Sequence, residues 1–303
     1  MESDKVAAMR RLLLLLALTF SLSAATFKSH DGTVLHYELV GKGEPVVLLS
    51  GGPGFSPEYL RPIADKLGAR HQFVLFHQRG TGKSVIETYN AETLAIPKLV
   101  GDLEALRQEL KAEKLTLAGH SFGGILSMMY ARAHPERIRA IAFIDAGGPT
   151  LASVKKFETN LNARFTAEDL AKVKEWSAPE KMKENRRRAV LGITKAKTGA
   201  YFADPKKAAP FIDALTEESF HDGVFWGIVF QMMALDLREG LEKVKAPVLV
   251  IHGRQDPLES AEEVHATFPG SKLVMIENAG HFPWLEQPDA FYAALGEFLS
   301  GVQ

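Results

Sequence analysis

The 303-residue chain has no cysteine. That excludes disulfides, a thiolate nucleophile, cysteine-ligated metals and a lipoprotein anchor, and it is compatible with any redox compartment. It also has almost no net charge, −1 at pH 7, so nothing draws it as a whole toward nucleic acid or an anionic membrane. It lacks an apolar run long enough to cross a membrane. The longest, Leu12 to Ala25, falls short of the roughly 20 residues a spanning helix needs. Internal repeats and low-complexity tracts are missing after that run. What remains, 46% hydrophobic residues, is enough for one large core with an insertion or for two domains.

The run Leu12–Ala25 follows Met9-Arg10-Arg11 and ends in Ser23-Ala24-Ala25. A basic start, an apolar middle and small residues at the end read as a cleaved signal peptide over residues 1–25, with an uncleaved anchor as the alternative and Met9 a candidate start. The expectation is an exported, periplasmic or secreted protein beginning near Thr26, with no stable membrane insertion after cleavage.

Beyond it, Thr26–His30 and Thr33–Val40 alternate in polarity around Asp31-Gly32 and predict a hairpin. Continuous apolar runs at 45–50, 72–77, 115–118, 138–144, 247–253 and 273–276 predict buried parallel strands. Helical patterns fall at 56–67, 91–111, from 122 onward and at 287–300. This alternation predicts an α/β fold with a mostly parallel sheet and helices on both faces. From Leu151 to Leu241 the pattern is helical without a buried strand. A stretch that long is no loop, so the division expected is a core of 26–148 and 242–303 with a helical lid at 149–241. Thr166 with Asp169 reads as a capped helix start, and Arg186-Arg187-Arg188 as a solvated face.

The stretch that carries chemistry is Gly119-His120-Ser121-Phe122-Gly123, between an apolar strand and an apolar helix. This G-x-S-x-G turn is sharp, so its flanks need residues without side chains. It lifts Ser121 Oγ clear of the sheet and points the Phe122 N–H at any oxyanion formed there. A serine hydroxyl needs a base to take its proton. Asp256, in Gly253-Arg254-Gln255-Asp256-Pro257, and His281, in Asn278-Ala279-Gly280-His281, each follow a strand, at the sheet edge where open α/β proteins keep their ligands. Taken singly, each also reads as an ordinary turn residue; in the order Ser, Asp, His they make a triad.

With these residues in order the chain resembles the α/β-hydrolase superfamily over nearly all of its length after the signal segment. The resemblance implies Ser121 as nucleophile, His281 as general base and then acid, and Asp256 as the group that orients the imidazole. Gly51-Gly52-Pro53-Gly54 is similar to the H-G-G-P-G signature of the proline iminopeptidase family, which removes N-terminal proline from peptides. His77-Gln78-Arg79-Gly80-Thr81-Gly82-Lys83-Ser84 is similar to that family's D-Q-R-G-x-G-x-S; a phosphate-loop reading of it fails, because the first glycine would fall at His77. The Gly52 N–H is assigned as the second oxyanion donor beside Phe122. Two positions depart from the pattern, Ser50 for His and His77 for Asp. The family's paired lid tryptophans and ammonium-binding glutamate are not found. The lid offers Trp176, then Glu217, Glu218, Phe220, Phe225 and Trp226 as candidate substrate-binding residues.

The expected function is therefore a serine hydrolase, a proline iminopeptidase-like aminopeptidase on short peptides. A carboxylesterase or lactonase on small esters uses the same residues, and a non-catalytic ligand-binding protein of the same fold is the alternative of another class. No cofactor, metal or nucleic-acid partner is expected, and oligomeric state is left open.

Overall fold

The computed structural model describes residues 23–302 except 235. The signal segment therefore lies almost wholly outside the described residues. Eight strands form one sheet: β1 (Ser23–Lys28), β2 (Val34–Gly41), β3 (Pro45–Leu49), β4 (Gln72–His77), β5 (Leu115–His120), β6 (Ile138–Ile144), β7 (Val248–Gly253) and β8 (Lys272–Ile276). Their order across the sheet is β1-β2-β4-β3-β5-β6-β7-β8. The β1–β2 and β2–β4 pairings are antiparallel, and all the others are parallel.

Successive strand residues point to opposite faces. Val47, Leu49, Val74 and Phe76 thus enter one core and Val46, Leu48, Phe73 and Leu75 the other. The first core is closed by α2 (Ile96–Glu109) through Leu99, Leu103 and Leu106 and by α3 (Phe122–Ala133) through Met128 and Met129. The second is closed by α1 (Arg61–Leu67) through Ile63 and Ala64 and by the C-terminal helix 288–301 through Phe291, Leu295 and Leu299. Each fully buried leucine is worth about 1.5–3 kcal/mol of transfer free energy, so both faces contribute to holding the sheet in place beneath the site.

Between β6 and β7 the described chain runs through α4 (Leu151–Asn162), α5 (Ala167–Trp176), α6 (Pro179–Glu184), α7 (Arg186–Thr198), α8 (Ala209–Ala214) and α9 (Asp222–Val229), with short 3₁₀ turns between α7 and α8 and after α9. After β7 come α10 (Ala261–Thr267), α11 (Pro283–Glu286) and α12 (Pro288–Gly301). Thr166 and Asp169 form a reciprocal capping box on α5. The arginines of α7 are exposed; Arg186 pairs with Asp222, and Arg187 donates to the Glu217 carbonyl.

Several boundaries differ from the sequence expectation, each for a physical reason. β1 begins at Ser23, not Thr26, because Ser23, Ala24 and Ala25 find partners in Leu39, Glu38 and Tyr37. A cut after Ala25 would remove half of that strand. The helix expected at 56–67 splits into a 3₁₀ turn over 57–60 and α1, since Pro62 lacks the N–H that would continue an α ladder back to Glu58. The helix expected from 91 starts at Ile96, with Pro97 in its first turn. Ahead of it Asn90 Oδ1 instead accepts the N–H groups of Glu92 and Thr93 in a turn of its own. Among the described residues no helix is long and apolar enough to cross a membrane.

Candidate active site

β5 turns directly into α3 at Ser121, whose φ of 55° and ψ of −119° are unusual for a residue with a side chain. Such a conformation costs on the order of 1–3 kcal/mol and persists only where its surroundings impose it. Here they do. Ser121 N–H donates to Ile144 O at 3.1 Å, and Ser121 O accepts from the N–H groups of Gly124 and Gly147, both at 3.0 Å. A Cβ on Gly119 would sit 2.4 Å from Gly123 O, and one on Gly123 would sit 2.1 Å from Leu49 O. Both flanking positions are thus closed to any other residue.

The loop after β7 carries Asp256 and the loop after β8 carries His281. Asp256 Oδ2 lies 2.8 Å from His281 Nδ1, and both side chains are buried. A carboxylate only accepts, so Nδ1 donates to it; in the neutral imidazole that leaves the lone pair on Nε2. Burial opposes the Asp256 charge. The facing His281 more than offsets that and holds the carboxyl well below its usual range. Asp256 Oδ1 accepts from Leu258 N–H at 2.9 Å.

His120, next to Ser121, joins this loop to the elbow. Its ring centroid is 4.5 Å from that of His281. Its Nε2 lies 2.9 Å from His281 O and its Nδ1 2.7 Å from Tyr59 Oη. Because the carbonyl must accept, Nε2 donates and Nδ1 accepts from the tyrosine. Burial, then the neighbouring His281, push the His120 pKa well down, which agrees with a neutral ring. Tyr59 Oη in turn accepts the Gly51 N–H at 2.7 Å. That leaves Gly52, of the two glycines, with a free N–H, and Phe122 likewise donates to no described residue.

The loop of Gly52 is pinned from two sides. Ser50 Oγ donates to Phe55 O at 2.6 Å, and Gln78 Nε2 donates to Ser50 O at 2.9 Å and to Ser50 Oγ at 2.7 Å. From the lid, residues 219–221 lie antiparallel along it: Ser56 N–H donates to Ser219 O and His221 N–H to Gly54 O, both at 3.0 Å, with Phe55 bridged to Phe220. The lid also reaches the histidine loop. His281 N–H donates to Tyr201 O at 2.8 Å, and the buried Glu286 accepts from Gly280, Ala203 and Asp204 N–H.

The other lid candidates are spread out. Phe220 packs on Phe55 at 4.9 Å and Phe225 on Phe220 at 6.2 Å. Trp226 turns outward, 51% exposed, and stacks on Phe230, so it does not wall a pocket at Ser121. Glu218 is exposed and Glu217 half-buried. No described contact joins either carboxylate to Ser121, Asp256 or His281. A cavity of about 440 Å³ opens beside Tyr59 and Phe55, between them and Phe211 and Leu215 of the lid, with Glu58 and Lys207 at its margin.

Tyr59, Tyr201, Asp145 and Glu286 were not singled out from the sequence. Only Asp145 had a usable signal, an acidic residue immediately after the buried strand β6, at the same sheet edge as the others. Asp145, Asp256 and His281 are the only described group of three side chains with metal-ligating atoms close together. Those atoms already serve one another and Gly253 N–H.

A model of the alpha/beta hydrolase fold matches residues 44–288. The chain belongs to the α/β-hydrolase family. Among individual α/β-hydrolase relatives, the AB hydrolase superfamily protein YclE of Bacillus subtilis (strain 168) is 26% identical over 279 residues, covering 89% of this chain and 96% of that one. A proline iminopeptidase of Lactobacillus acidophilus is 26% identical over 301 residues, covering 88% and 95%. An esterase from Exiguobacterium antarcticum superposes with a TM-score of 0.64 at 22% identity, over 91% of this chain and 99% of that one, which is a likeness of fold. Enzymes of this family include peptidases, esterases and lactonases, and this chain is an α/β-hydrolase enzyme.

Proposed function

We propose that the protein is a serine hydrolase in which Ser121 attacks the carbonyl carbon of a small acyl substrate. The observation that carries this is the buried Asp256–His281 hydrogen bond on loops that meet the strained Ser121 turn at His120. His281 Nε2 takes the Ser121 proton as the Oγ–carbon bond forms. The oxyanion is received by the Gly52 and Phe122 N–H groups, which meet no acceptor among the described residues. His281 then hands the proton to the leaving group, and water, activated the same way, releases the acyl group from Ser121.

Two substrates fit that chemistry. An aminopeptidase acting on N-terminal proline is supported by the two signature stretches and by the relative named a proline iminopeptidase. The second signature is a weak guide to substrate, because its side chains are engaged inside the protein: Gln78 with Ser50, Arg79 with Asp31 and Asp102, Ser84 with His77 O. An aminopeptidase also needs a carboxylate to receive the ammonium group in a partly desolvated pocket, whereas Glu218 is exposed, Glu217 is half-buried, and no described contact joins either to Ser121, Asp256 or His281. The lid therefore favours the second reading, a small ester or lactone with an apolar acyl group.

The expected result is that p-nitrophenyl acetate is turned over with a kcat/KM at least about tenfold above that for Pro-β-naphthylamide. N-acetylation of the amide, and Glu217→Gln or Glu218→Gln, should change rates less than about twofold. A fall of tenfold or more on N-acetylation reinstates the aminopeptidase.

We also propose export, on the Arg10-Arg11 and Leu12–Ala25 pattern. N-terminal sequencing of protein from its host should begin near Thr26; a full-length chain in the cytosol would remove this proposal.

A further inference from the structure

Asp145 follows β6 directly and is not used by the mechanism above. Its carboxyl is fully buried, on a backbone held at φ 41°. Oδ1 accepts the Gly253 N–H at 2.8 Å, at the end of β7. Oδ2 meets no donor among the described residues. A buried carboxylate oxygen without a donor is costly. It is satisfied at once if it carries a proton and donates. The acceptor at hand is Asp256: ligand atoms of Asp145, Asp256 and His281 all lie within 4.8 Å of one another.

The neighbours from each packed element favour the same state. From β7, His252 presents Nε2 at 3.5 Å to Asp256 Oδ2 and Nδ1 at 3.9 Å to Asp145 Oδ1. Burial pushes its pKa down, so it brings no compensating positive charge. From α11, Glu286 adds negative potential. Burial first, then the Asp256 charge, push the Asp145 carboxyl well above the usual range. Asp256 has its Oδ1 on Leu258 N–H and its Oδ2 on His281. A further donor from Asp145 fixes how the carboxylate is turned.

We propose that Asp145 is a positioning residue of the Ser121–His281–Asp256 relay, donating a hydrogen bond from its Oδ2 to the Asp256 carboxylate. The pair then holds one negative charge, not two, beneath the imidazole. The Asp145 proton stays in place through both half-reactions, and only the Ser121, leaving-group and water protons pass over His281. This rests on the serine hydrolase reading.

The test is the rate of Ser121 labelling by a fluorophosphonate as a function of pH, in the full chain. Wild type, Asp145→Asn and Asp145→Leu are compared, with Ser121→Ala as control. Asparagine is neutral, can accept from Gly253 N–H and can donate to Asp256. It should label within about threefold of wild type, with the acid limb of the profile at an unchanged pH. Leucine removes the donor and should label at least about tenfold more slowly. If Asp145 acts as a second anion, the asparagine variant loses that charge and its acid limb moves to lower pH by a unit or more, which overturns the proposal. A loss above threefold in Asp145→Asn, or a leucine variant that labels within tenfold of wild type, overturns it as well. Should Asp145→Leu fail to fold, the asparagine profile decides alone. Absence of labelling at Ser121 in the wild type would instead defeat the serine hydrolase reading beneath it.

Discussion

Ser121→Ala is expected to lower turnover of any accepted substrate by about 10⁴–10⁶-fold, with the fold unchanged. The loss is large because no other described group stands where an acyl acceptor is needed. The turn that presents Ser121 is rigid, braced through its backbone by Ile144, Gly124 and Gly147 and not through Oγ. Alanine keeps all of these hydrogen bonds, so its thermal midpoint should lie within a few degrees of the wild type. Mass spectrometry of the fluorophosphonate adduct should place the label on the tryptic peptide containing Ser121, and the variant should take up none. Full activity in the variant, or an adduct on another serine, would remove Ser121 as nucleophile. A wild type that neither labels nor hydrolyses any of the esters and amides would leave the ligand-binding alternative.

The second large effect is on stability. Arg79 is 3% exposed and spans two carboxylates: Nε donates to Asp102 Oδ2 and Nη1 to Asp31 Oδ2, both at 2.8 Å, and Nη1 also donates to Thr33 Oγ1. Ser29 Oγ donates to Asp102 as well. The cluster ties the β1–β2 turn and α2 to the loop after β4. Burial pushes the Asp102 carboxyl up, and Arg79 works against that. Arg79→Ala leaves Asp102 buried without its cation, and should cost about 3–5 kcal/mol by urea unfolding. The sign of the pH dependence follows. In the variant the folded state holds a proton on Asp102 at a pH where the unfolded chain has released it, so folding gains as pH falls. The deficit should narrow between about pH 8 and pH 5, both of which lie above the pH at which the wild type would lose the stabilisation of its depressed Asp31. A pH-independent deficit, or one under about 1 kcal/mol, would show that the cluster is not what anchors this corner.

These two sites differ in how far they could be read in advance. The strand runs 45–50, 72–77 and 247–253 were legible because a strand buried on both faces is a continuous apolar word. Ser121 was legible because it follows such a word directly, and Asp256 and His281 because each lies in the loop just past one. Arg79 was visible only as part of a signature; its buried partners Asp31 and Asp102 come from a hairpin turn and a helix that no local pattern connects. Tyr59 and Tyr201 act through a hydroxyl and a carbonyl brought up by distant segments. The lid was the least legible part. Its helices follow from periodicity and from caps such as Thr166–Asp169, but which of its side chains turn inward depends on how α9 docks. Trp226 and Phe220 are both aromatic, yet one stacks at the surface and the other touches the Gly52 loop.

That docking has a kinetic side. Residues 219–221 extend the loop of Gly52 as a neighbouring strand would, through Ser219 O, Gly54 O and the Phe55–Phe220 bridge. On the mechanism proposed above, any opening of the helical insertion at this strap would break the hydrogen bonds that hold the loop of Gly52, so the groups assigned to receive the oxyanion would be in place only with the strap seated.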